Sequence, residues 1–96
     1  FTGNYTNTID YITIATTGNA TDFGDLSAVR APAGASNGTL GIFAGGWTGS
    51  ARSNVIDTIT IATTGNATDF GDLITARNAH TSVSDKTRAL FAGGLD

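Results

Sequence analysis

The 96 residues include 17 Thr, 14 Ala, 13 Gly, 7 Asn and 6 Ser, with one Pro and no Cys, Met or Glu, a mixture of strand and turn formers that disfavours helix bundles. Without cysteine there is no disulfide framework or thiolate zinc site, and a single histidine, His80, makes no histidine-rich metal centre. A net charge of -3 argues against a nucleic-acid partner, and no apolar run reaches the roughly 20 residues that span a bilayer, so the sequence reads as one soluble all-β domain without membrane insertion.

An internal repeat organises the whole chain. Residues 12–26 are identical to residues 59–73 at all fifteen positions, and Ile9-Asp10 matches Ile56-Asp57, at an offset of 47. Arg30 falls on Arg77 at the same offset, after which one extra residue in the second copy moves it to 48. Phe43-Ala44-Gly45-Gly46 then lies over Phe91-Ala92-Gly93-Gly94, and Phe1-Thr2-Gly3 lies over Trp47-Thr48-Gly49. The chain is a single segment, 1–96, of two repeats, 1–46 and 47–96. A period in the forties containing several short strands is the range of propeller blades.

Each repeat divides into four strand-like runs. In the first, Ile9 and Tyr11 point one way and Ile12 and Ile14 the other, as in stacked sheets covered on both faces. Phe23 marks the next run, Asn37-Gly38 is a hairpin signal, and the last run ends in Gly45-Gly46. In the second, residues 53–63 form a β-branched strand closed by Thr64-Gly65-Asn66. Residues 67–74 follow around Phe70, with Gly71 marking a bulge or close packing. Residues 78–84 turn at Asp85-Lys86 into 87–92, and Gly93-Gly94 allows a sharp bend or close backbone contact. Four antiparallel strands per repeat make one blade.

These residues resemble the Kelch-type β-propeller repeat: a strand ending in a diglycine, a β-rich strand, an aromatic in the outer strand, and Arg77-Asn78-Ala79-His80 entering the next inner strand. Phe23 and Phe70 stand where that family has an outer-strand tryptophan, Thr58 answers Tyr11, and Ala33 is aligned with His80. The segment shared by residues 17–26 and 64–73 is also similar to tandem arrays in proteins of marine phages and ocean metagenomes, which implies a virion-associated setting.

In a Kelch-like blade the strands run outward from the channel as inner, diglycine, β-rich and outer. The resemblance therefore implies the outer half of one blade, one complete blade and the inner half of another. Half blades expose unpaired strand edges and are marginal alone. The expected remedy is strand exchange between subunits, residues 78–94 of one chain pairing with residues 5–26 of the next. This head-to-tail contact closes into a homo-oligomeric ring, six blades from a trimer. The alternative is a piece of a longer polypeptide whose own repeats close the ring.

Arg30 and Arg77 recur at one place in each repeat and would form a basic ring for an anionic ligand. The alternative is that each bonds loop carbonyls or pairs with Asp25 or Asp72. Trp47 and Phe1 offer a sugar-stacking or protein-anchoring surface, or else pack between blades. His80 reads as a packed inner-strand residue. The two Asp-Phe-Gly-Asp copies, carrying Asp22, Asp25, Asp69 and Asp72, read as turn and edge-protecting residues. No set of catalytic groups or metal ligands can be assembled, so no enzyme activity, metal or cofactor is expected. Two functions stand: a multivalent module binding glycans or surface proteins, or a structural scaffold without a small ligand.

Overall fold

The β-branched runs pair locally, each strand with its neighbour in sequence. The computed structural model describes residues 5–96, and among these there are eight strands and no helix. The strands are β1 (Thr8–Tyr11), β2 (Thr21–Asp25), β3 (Ala31–Ser36), β4 (Leu40–Trp47), β5 (Arg52–Thr60), β6 (Thr68–Asp72), β7 (Thr81–Ser84) and β8 (Ala89–Ala92). They form three antiparallel sheets: β1–β2, a four-stranded sheet β3–β4–β5–β6, and β7–β8.

The two outer sheets are the halves of the central one. Thr8 faces Asp25 and Ile9 faces Gly24 in the first sheet, as Val55 faces Asp72 and Ile56 faces Gly71 in the central sheet, with the same bulge before Asp10 and Asp57. Ser82 faces Phe91 and Val83 faces Leu90 in the last sheet, as Gly34 faces Phe43 and Ala35 faces Ile42. The shared sequence has thus produced shared register. The expected strand positions need trimming. Residues 61–63 leave the run 53–63 because Thr63 N donates to Thr60 O, turning the chain after β5. The run 78–84 begins as an isolated bridge, Asn78 opposite Leu95, before β7 starts.

That bridge locates the extra residue of the second repeat. Asn78 opposite Leu95 corresponds to Ala31 opposite Trp47, and Thr81 opposite Ala92 corresponds to Ala33 opposite Ala44. Three steps from Asn78 to Thr81 replace two from Ala31 to Ala33, so His80 lies in an insertion and is not aligned with Ala33. Ala79 beside it takes φ 57, the left-handed conformation that an alanine adopts only under constraint.

The core is small. Phe23, Leu26, Ala44 and Leu73 are buried, while Phe70, the counterpart of Phe23, is 62% exposed against 7%. Phe23 has the central sheet beside it, with Gly65 N donating to Phe23 O at 2.8 Å. The diglycine Gly45-Gly46 has positive φ at both residues, as does Gly93-Gly94. A Cβ on Gly46 would stand 2.1 Å from Ala31 O, which accounts for the glycine there.

The β3–β4 and β7–β8 hairpins both turn on a side-chain acceptor. Asn37 Oδ1 accepts from Thr39 N and Leu40 N, and Asp85 Oδ1 accepts from Thr87 N and Arg88 N. The bond from Arg88, then that from Thr87, holds the Asp85 carboxyl below its ordinary 3.8. Its stabilisation is fully present above pH 3.8 and is lost as pH falls through the lower folded value. Asp85→Asn is expected to leave the melting temperature unchanged at neutral pH, since Asn37 already serves this turn. The substitution should reduce the loss of stability in acid, read by thermal melts above and below pH 3.8.

Candidate functional site

The two repeated arginines close the sheets internally. Arg30 follows β2 and is 3% exposed. Its Nε donates to Gly45 O at 2.9 Å and its Nη2 to Phe43 O at 3.1 Å. Its Nη1 stands 3.2 Å from Asp57 Oδ2, both side chains being wholly buried. That contact is not aligned as a hydrogen bond, so it acts through charge. Asp57, on β5, also accepts from Ser27 N and Ser27 Oγ, each at 2.8 Å. Arg30 is therefore turned inward onto carbonyls, one of the two expected arrangements, and its acidic partner is Asp57 rather than Asp25 or Asp72. The carbonyls at the end of β4 and a carboxylate from the next repeat satisfy a charge that burial would otherwise penalise.

Arg77 repeats half of this arrangement. Its Nη2 donates to Phe91 O at 2.5 Å, as that of Arg30 does to Phe43 O, but its buried Nε has no hydrogen-bond partner. Arg77 itself is half-buried.

An open groove of about 570 Å³ crosses one end of the sheets, lined by Tyr5, Pro32, Trp47, Arg52, Asn78 and His80 among others. Trp47 ends β4, and the Arg52 guanidinium lies 5.6 Å from the centroid of its ring. Arg52 Nε is fixed by Asn78 Oδ1 at 2.9 Å, so indole, cation and amide form one surface. Trp47 is half-buried and lines the groove. Phe1 lies outside the described residues.

His80 is held as a wedge between sheets. Its Nε2 is 3.0 Å from Ala44 O, its ring meets Phe91 edge-on at 6.1 Å, and its buried Nδ1 has no hydrogen-bond partner. With Nε2 as the protonated nitrogen, the ring donates to Ala44 O. No group of three or more potential metal-ligating side chains occurs among the described residues. No helix of the described residues is long and apolar enough to cross a membrane.

Sequence reasoning singled out Trp47 and the arginines but missed Asp57, Arg52 and Asn78. Asp57 carried a signal, a lone acid inside a β-branched strand, repeated as Asp10. No family model and no curated protein matches the chain.

Proposed function

We propose that the chain is a non-enzymatic binding module built on a Kelch-like β-propeller, in which copies associate into a ring and each presents one groove to a glycan or surface protein. The observation that carries this reading is the Trp47–Arg52 surface in an open groove. The part of the indole that lines the groove offers an apolar surface to a sugar ring, and the guanidinium over the ring, with the Asn78 amide that holds it, supplies donors and an acceptor for hydroxyls. Tyr5 stands in the first repeat where Arg52 stands in the second, so the platform occurs once per chain rather than once per blade. Weak single sites repeated around a ring gain avidity, and three copies with six blades satisfy the usual range. Attachment at a virion surface is one setting that suits such avidity.

A scaffold without a small ligand is the second reading, favoured by the inward-facing Arg30, which removes one half of the expected basic ring. Glycan-array binding separates the two. The binding module predicts retention on a defined set of glycans and a loss of about tenfold or more in Trp47→Ala. Equal binding by Trp47→Ala would exclude the groove, and no retention would favour the scaffold.

A further inference from the structure

Groups that are paired where β1–β2 meets the central sheet recur one repeat later on β6 and in the loop after β1, where no such sheet lies beside them. Between β1–β2 and the central sheet, Gly65 N donates to Phe23 O and Ala67 N to Asp25 O, both at 2.8 Å, while Asp25 N donates to Asn66 Oδ1 at 3.0 Å. Because residues 12–26 and 59–73 are identical, the same groups exist one repeat later, split between the two ends of the chain. Phe70 and Asp72 on β6 are the counterparts of Phe23 and Asp25. Gly18, Asn19 and Ala20, after β1, are the counterparts of Gly65, Asn66 and Ala67. A Cβ on Gly24 would stand 2.1 Å from Gly65 O, whereas a Cβ on Gly71 meets nothing within 4 Å. The arginine clamp shows the same asymmetry: Arg77 has a buried Nε without a hydrogen-bond partner, and Asp10, the counterpart of the fully buried Asp57, is exposed.

We infer that a second copy of this chain completes the β7–β8 sheet with its own β1–β2, placing its Asp10 beside Arg77 and its loop 18–20 over Gly71. This rests on the propeller reading above and specifies the joint. The central sheet supplies the register. Phe43 opposite Asp57, Ala44 opposite Ile56 and Trp47 opposite Arg52 become Phe91 opposite Asp10, Ala92 opposite Ile9 and Leu95 opposite Tyr5. The occupant is the chain itself because opposite charges, strand edges left unpaired among the described residues and a fifteen-residue identity all meet in that one alignment. One contact is lost. Ser27 gives Asp57 both N and Oγ, but its counterpart Ile74 has no hydroxyl, so the joint between copies lacks one hydrogen bond.

The test uses all 96 residues and sedimentation over a dilution series, with circular dichroism as the control for folding. Gly71→Ala and Asp10→Ala change positions that are open within one chain, so their strand content should match the parent. Each is expected to weaken association about 30-fold or more, by clash with a backbone loop and by leaving Arg77 unpaired. Ile74→Ser restores the missing hydroxyl and is expected to tighten association about fivefold. If the parent associates and both Gly71→Ala and Asp10→Ala associate equally well, this joint is wrong while self-assembly survives. If the parent is a folded monomer throughout, the joint and the assembly reading fail together.

Discussion

Asp57→Ala is expected to cost about 3–5 kcal/mol, a large part of the roughly 5–15 kcal/mol that holds a small domain together. The carboxylate is wholly buried and gathers three groups: the Arg30 guanidinium, Ser27 N and Ser27 Oγ. Removing it leaves a buried cation facing only the carbonyls of Gly45, Phe43 and Val55 and deprives the turn after β2 of its acceptor. Asp57→Asn keeps an acceptor for Ser27 but not the charge, and should fall between the parent and Asp57→Ala. Urea denaturation at one fixed chain concentration measures the effect, since association also shifts apparent stability. A loss below about 1 kcal/mol would mean that the clamp does not hold the sheets together.

Gly24→Ala is the second large effect. The new Cβ would stand 2.1 Å from Gly65 O and 2.4 Å from Gly65 C, both backbone atoms that no side-chain rotation can move. Relief requires the first sheet to separate from the central one, lengthening the bonds from Gly65 N and Ala67 N. Overpacking of this kind costs about 1–3 kcal/mol, and here the lost hydrogen bonds add to it. The contrast with Gly71 is informative because Thr-Asp-Phe-Gly-Asp surrounds both glycines. Gly71→Ala should leave the stability of the single chain unchanged, and hydrogen exchange at Gly65 and Ala67 should rise only in Gly24→Ala. Equal effects at both positions would contradict the account of Gly24 as a contact with the neighbouring sheet.

The all-β character, the antiparallel pairing and the strand boundaries to within a few residues were legible, because β-branched runs and turn residues act locally. The repeat carried the register too: once residues 12–26 and 59–73 are aligned, pairing in one sheet implies pairing in the other. The arginine partners were not legible. Asp25 and Asp72 lie close to Arg30 and Arg77 in sequence, whereas Asp57 comes to Arg30 only when the central sheet stacks beside β1–β2. His80 shows a different limit. A change of offset from 47 to 48 reveals that one residue is extra, but only the bridge between Asn78 and Leu95 locates it. The same holds for Arg52, whose position over Trp47 depends on the pairing of β4 with β5. Identical sequence also produced unequal environments, as at Phe23 and Phe70, because burial depends on what stands beside the strand.

Self-assembly is the claim on which the proposed function depends, and the solution mass of the 96-residue chain tests it most directly. Light scattering over a dilution series is expected to return a closed multiple of the 9.7 kDa chain, three copies for a six-bladed ring, falling to smaller species only on dilution. A folded chain that keeps a mass of 9.7 kDa at every concentration would contradict it.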